Sequence, residues 1–192
     1  MTKRTQTAAG SILAAVVSVC VLLLLGYPVL QVLSIEPVDK SGSIDTRNAN
    51  RLFIYGLESG KEAQEFVISY THSVNKGRVK DYYRFKKTGT ELDLEMYKTQ
   101  FLSYGAGMSD PEGNEVFIQT DDYIEINNMS RVMSSLLMAV GYIADHRLEI
   151  GDIIYCLSDY FPPQQRIMIR FKKISVVEYL RCLHEQRVIY IQ

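Results

Sequence analysis

Tryptophan is absent from this 192-residue chain, and histidine and cysteine occur three times each. Nor is either charge in excess: 21 Lys and Arg stand against 22 Asp and Glu. A nucleic-acid binder needs a basic stripe, so that class is excluded. There is no Gly-x-Ser-x-Gly elbow for a hydrolytic serine and no dinucleotide fingerprint leading from a strand into a helix. Cys182-Leu183-His184 offers two candidate ligands, where a zinc site needs three or four at recognised spacing. No repeat or low-complexity block stands out. The chain is thus expected to hold no metal, no cofactor and no catalytic set, and to be something other than an enzyme.

What is abundant is apolar sequence and tyrosine, of which there are 13. Tyrosine suits half-buried β surfaces, with an apolar body and a polar tip. From Thr5 to Ile35 no residue is charged. A helix crosses a bilayer with ~20 such residues. Ile12, Leu13, Val16, Val17, Val19 and Val21 to Leu25 together favour insertion by about 3–6 kcal/mol. Lys3 and Arg4 precede the run, and Glu36 and Asp39 follow it. The positive-inside rule then puts the N-terminus in the cytoplasm and the rest outside the cytoplasmic membrane. The run outlasts a signal-peptide core, and no Ala-x-Ala site ends it, which favours an uncleaved anchor. Gly26-Tyr27-Pro28 is expected to end or kink the helix.

The organisation predicted is a cytoplasmic tip and transmembrane signal anchor over 1–35, a polar linker over 36–50, an extracytoplasmic β-domain over 51–173 and a C-terminal helix and strand over 174–192. Outside the cytoplasm Cys156 and Cys182 could form a disulfide, and two free buried thiols are the alternative.

Within 51–173 the period is mostly two. Leu52–Tyr55, Phe66–His72, Val79–Lys86 and Leu92–Tyr97 read as strands, the last two joined at Thr88-Gly89. Val116–Ile118 and Tyr123–Ile126 form a second hairpin. Arg131–Val140 is apolar on both faces, and context favours one buried strand over a helix. Ile143–Ile150, Asp152–Leu157 and Arg166–Phe171 follow as strands. Ser175-Val176-Val177-Glu178 fits a capping box at the start of a short helix through Glu185, and Val188–Ile191 returns as a strand. The fold expected is mainly β, an antiparallel sandwich or open barrel with an N-terminal transmembrane helix and a short C-terminal helix.

Two motifs stand apart. In Tyr70-Thr71-His72-Ser73-Val74, strand alternation turns His72 and Ser73 to opposite faces, which argues against a base–nucleophile pair. His72 then either contacts a ligand or is fixed structurally by a hydrogen bond. Ser103-Tyr104-Gly105-Ala106-Gly107 could form a backbone nest for an anion or a tight loop closing the sheet. His146, beside Asp145, sits in a predicted strand. The candidate contact surface is therefore His72, Ser73, Tyr104, Gly105, Gly107 and His146.

At these motifs the chain resembles the prokaryotic family catalogued as domain of unknown function 1850, from about Phe66 to about Phe171. The matching residues are Tyr70 to Val74, Phe101 to Gly107 and, more loosely, His146-Arg147-Leu148. Members of that family look like small exported or membrane-anchored domains found beside tripartite ATP-independent periplasmic (TRAP) transporters of the TAXI branch. The resemblance implies an accessory protein that meets the TRAP permease, the TAXI solute receptor or both. It brings no activity, cofactor or catalytic residue. A free-standing module that binds a small anionic solute or envelope component is the rival expectation, and an envelope hydrolase is the third.

Overall fold

A computed structural model describes residues 16–20, 23–45, 50–55, 65–89, 91–103, 111–185 and 187–190. Among them, thirteen strands build two sheets that face each other. The smaller sheet holds β1 (Pro28–Pro37), β2 (Leu52–Tyr55), β9 (Leu136–Ala139), β12 (Arg166–Ser175) and β13 (Val188–Tyr190), in the order β13-β2-β1-β12-β9. The larger holds β3 (Phe66–Thr71), β4 (Arg78–Thr88), β5 (Glu91–Phe101), β6 (Val116–Gln119), β7 (Ile124–Asn127), β10 (Arg147–Ile150) and β11 (Ile153–Cys156), in the order β11-β10-β3-β4-β5-β7-β6. β8 (Arg131–Met133) pairs with a separate stretch of β5. Every pairing is antiparallel except β13 on β2.

The architecture is a β-sandwich, as expected. Its main core lies between the sheets: Leu33, Ile35, Leu52, Ile54, Ile167 and Ile169 meet Phe66, Ile68, Tyr83, Leu94, Leu148 and Ile150. Alternation along β3 and β4 sends these residues inward and leaves Arg78, Lys80, Tyr82, Arg84 and Lys86 outside. Tyr97 is an extra residue in β5: Tyr82 pairs with Lys98, but Tyr83 with Met96. This bulge restores the inward parity, so Leu94, Met96, Thr99 and Phe101 all serve the interior.

The outer face of the larger sheet is satisfied by its own charges. Glu95 accepts from Arg84 and Lys86, each at 2.7 Å, and from Ser130 at 2.8 Å. Burial pushes its carboxyl up, but these hydrogen bonds outweigh burial and hold it at about 2. Lys98 lies over the Tyr82 ring at 3.9 Å.

The segment expected to be helical over 1–35 leaves the helix earlier than the sequence suggests. Residues 16–20 and 23–26 are helical, but Pro28 to Ile35 belong to β1. β1 is central between β2 and β12, and from Val32 to Pro37 it is buried on both faces. One face meets the larger sheet. The other meets α1 (Val176–His184), where Val32, Phe53, Ile174 and Cys182 form a small second core. A strand buried on both sides loses its alternation and reads like the end of an apolar anchor. Among the described residues no helix is long and apolar enough to cross a membrane.

Other boundaries move too. Glu36 and Val38 are buried, and Val38 bridges Ile44, so the expected linker begins inside the fold. Arg131–Val140 is two strands: Ser134 and Ser135 break it, and the chain crosses from β5 in one sheet to β12 in the other. It is half-buried rather than buried on both faces, because each piece lies at a sheet edge. Ile143–Ile150 shortens to β10, since 142–145 is a turn with Asp145 at φ 45°. The capping box holds, with the Glu178 amide donating to Ser175 Oγ at 3.1 Å. Cys156 and Cys182 are free: one is in an edge strand of the larger sheet, the other on α1, packed against Val32, Phe53 and Ile174 of the smaller sheet. The disulfide therefore does not form.

Leu33 is fully buried at the centre of β1. Leu33→Ala is expected to cost about 2–5 kcal/mol, read as an earlier urea midpoint of the full chain. An unchanged midpoint would mean that β1 contributes little to the core.

Candidate functional site

Three loops converge at the end of the sandwich where β3 stops. The first is the turn 72–77 between β3 and β4. The second begins at Leu102-Ser103 after β5. The third is the turn 141–146 before β10. Their junctions are specific. The Thr71 amide donates to the Ala144 carbonyl at 2.6 Å. Asn75 Nδ2 donates to the Ser103 carbonyl at 2.9 Å. Gly77 lies so close to Leu102 that an added Cβ would stand 3.1 Å from its side chain.

Both candidate histidines are loop fasteners. His72 is buried, and its Nδ1 accepts from the amides of Val74 at 3.2 Å and Asn75 at 3.4 Å. Its own amide donates to the Gly77 carbonyl at 2.8 Å. His146 Nδ1 accepts from the Gly141 amide at 2.9 Å. Gly141 is required there, since a Cβ would meet Ala144 at 2.8 Å and the His146 ring at 3.1 Å. An Nδ1 that accepts from amides has its lone pair committed, so neither nitrogen is poised as a base. His146 sits against the Tyr70 ring at 5.6 Å. Burial lowers its pKa, aided by Arg78 and opposed by Asp145.

Ser73 is exposed and His72 buried, but β3 stops at Thr71 and Ser73 opens the turn, so the turn and not strand alternation separates them. The structure thus links the His72 and His146 loops and carries the chain to Ser103. Tyr104, Gly105 and Gly107 lie outside the described residues.

Sequence reasoning passed over Asp81. It takes the inward parity of β4 between Val79 and Tyr83, a place where an acid is out of pattern. Thr99 Oγ1 donates to it at 2.7 Å, and Tyr70 hydrogen-bonds it from the His146 side. Burial pushes the Asp81 carboxyl up to about 6, against the Thr99 hydroxyl, the Arg131 charge and the Tyr70 hydroxyl. Burial also pushes Tyr70 up to about 12, aided by Asp81. The interior acid was visible in the sequence as the one carboxylate in β4, and it falls on the inward parity.

On the outer side, Arg78 bonds Asp145 at 3.1 Å and Ser69 Oγ at 2.7 Å, while Lys80 bonds Glu149 at 2.8 Å. Asp145 also pairs with Arg147, which with Arg78 outweighs burial and holds its carboxyl below the usual range. Among the described residues no group of three or more His, Cys, Asp or Glu is placed to hold a metal. The arrangement is a braced loop platform over a polar thread, His146–Tyr70–Asp81–Thr99.

Because folding raises the Asp81 pKa, the native state holds its proton more tightly than the unfolded chain. Its contribution is full below about pH 4 and is lost as pH rises through about 6. Asp81→Asn should therefore gain on the parent protein by on the order of 2–3 kcal/mol across that window. Urea midpoints of both chains at stepped pH measure it, and parallel pH profiles would remove Asp81 as the titrating group.

Residues 66–157 match the model of the family described as Domain of unknown function (DUF1850). No curated protein and no solved structure matches the chain. The match runs from β3 through β11 to Leu157, so it contains the larger sheet and all three converging loops, and stops short of Phe171. The segment that carries the candidate site belongs to the DUF1850 family.

Proposed function

We propose that this chain is a membrane-anchored, extracytoplasmic accessory protein of a TAXI-type TRAP solute transporter, and that it works by contact rather than catalysis. The transporter class comes from the family resemblance. The observation that supports contact is the apolar surface of the loop platform. Tyr142 is 81% exposed, Ile143 76%, Val74 66% and Leu102 58%. Large apolar side chains gathered on braced loops mark protein contact surfaces. The committed lone pairs of His72 and His146 favour a non-catalytic reading.

The anchor is supported by the charge-free run and by what its described residues do. Leu23 and Leu24 are each 69% exposed and do not join the core. They would find lipid as solvent. The strand that follows sets a direction. β1 runs from Pro28 beside the helical residues to Pro37, and the platform lies toward the Pro37 end, where Ala139 pairs with Arg166 and Val38 bonds the Arg166 carbonyl. At ~3.3 Å per residue β1 spans roughly 30 Å. That separation favours the soluble solute receptor over the permease as what the platform meets.

Co-purification of the full chain in detergent with the neighbouring permease and receptor tests the reading. The double variant Tyr142→Asp/Ile143→Asp should retain at most about a tenth of the receptor, the effect of losing central apolar contacts, with its melting temperature unchanged. Equal retention would remove the platform as the contact. No association of the parent chain with either component, and unaltered uptake after deletion, would overturn the accessory role.

A further inference from the structure

At the opposite end of the sandwich a cleft of about 730 Å³ opens between the sheets. It exists because the chain changes sheets. β9 pairs with β12 only from Arg166 to Ile169, and at Ser134-Ser135 the preceding chain has already left for β5. Arg170 to Lys173 are thereby left as an open strand edge along one wall. Antiparallel residues direct their amide and carbonyl groups alternately to the two neighbours. The Arg166 carbonyl faces β1, since it accepts from Val38. Arg170 and Lys172 share that direction, so Phe171 and Lys173 turn their backbone groups to the cleft.

The cations here do not fit the alternation that built the core. Counting along β4 from Tyr83 and Phe85, Lys87 takes the inward parity. Counting along β12 from Ile169 and Phe171, so does Lys173. Both line the cleft where the pattern calls for apolar side chains. Lys172 and Arg170 are already engaged by Glu36, at 3.0 and 3.5 Å. Lys87 and Lys173 have no ion-pair partner among the described residues. Asp93 also borders the space, lying more than 4.0 Å from either ammonium. The floor is apolar, from Leu92 and Phe171, with Phe171 against Phe85 at 4.0 Å. The hydroxyls of Ser134 and Ser135 add donors at the rim.

We infer that this cleft binds a small organic anion, a carboxylate or phosphate head joined to a short apolar body. Lys87 and Lys173 would hold the head, the open β12 edge would supply backbone amides, and Leu92 and Phe171 would take the body. The volume falls within the about 300–1,000 Å³ of small-molecule sites. Two sources share this chemistry. One is a soluble solute. The other is a phospholipid headgroup, because Gln31 on the cleft wall is only five residues from Gly26, where the helical residues end. The inference stands on the cleft alone and does not require the transporter reading.

The test uses the full chain in neutral detergent. Hexanoate and glycerol phosphate are titrated by calorimetry, and short-chain phosphatidylglycerol is compared with phosphatidylcholine by native mass spectrometry. Binding of either soluble anion assigns a solute site. Retention of phosphatidylglycerol over phosphatidylcholine, without the soluble anions, assigns a headgroup site. In both cases Lys87→Glu/Lys173→Glu should weaken binding at least about ten-fold, as expected when charge-assisted hydrogen bonds are lost. Both side chains are exposed, so melting should be unchanged. Should the charge reversal impair folding, Lys87→Gln/Lys173→Gln takes its place, with the same loss of binding expected. No binding of any probe, or equal binding by a folded variant, overturns the inference.

Discussion

The burial of β1 on both faces is the constraint on which the rest depends. A strand with apolar partners above and below must sit centrally in its sheet, and β1 does, between β2 and β12. Its inward residues close the main core. Its outward residues need a cover, and α1 supplies it through Val32, Phe53, Ile174 and Cys182. The segments on either side of residues 66–157 therefore act together. β1, β2, β12 and β13 form a floor on which the family segment lies, with β9 the one strand of that segment that joins the floor. Ser34 and Glu36 on the same buried face show the cost of such a position: Ser34 bonds the Arg170 carbonyl, and Glu36 is held by Lys172 and Arg170. A carboxylate taken from water so fully needs partners of this kind.

Much of this was legible where a strand had one wet face. Along β3, β4, β5 and β12 alternation separated the inward from the outward set, and the capping box at Ser175 located α1. Legibility failed for physical reasons at particular places. β1 lost its alternation by being buried twice and merged with the apolar run before it. Arg131–Val140 looked continuous because nothing local records that its halves pair with strands in different sheets. The turn before β10 was hidden behind Ile143, which read as the start of a strand and is instead exposed in the turn.

The candidate site divides the same way. His72 and His146 were identifiable as unusual, but the strand period expected to separate His72 from Ser73 ends at Thr71, and the turn separates them instead. That the two histidines belong to one platform was not legible, because it rests on β10 pairing with β3 and on the Thr71–Ala144 hydrogen bond. What the histidines do is also a tertiary fact. Each uses Nδ1 to fix a loop amide, so their chemistry is consumed by architecture. Asp81 is the converse: its oddity was plain in the pattern of β4, but its meaning needed Tyr70 and Thr99 beside it.

One junction sets how the molecule bears load. The helical residues end at Gly26, only Tyr27 intervenes, and β1 begins at Pro28. There is no slack between them. A pull along the N-terminal segment is delivered lengthwise into β1, whose register with β12 extends from Pro28 to Pro37. Hydrogen bonds lying across the direction of force are sheared together instead of unzipping one by one. The sandwich is thus coupled to whatever holds its N-terminal segment as a stiff lever, and a tilt imposed there is transmitted to the loop platform at the far end.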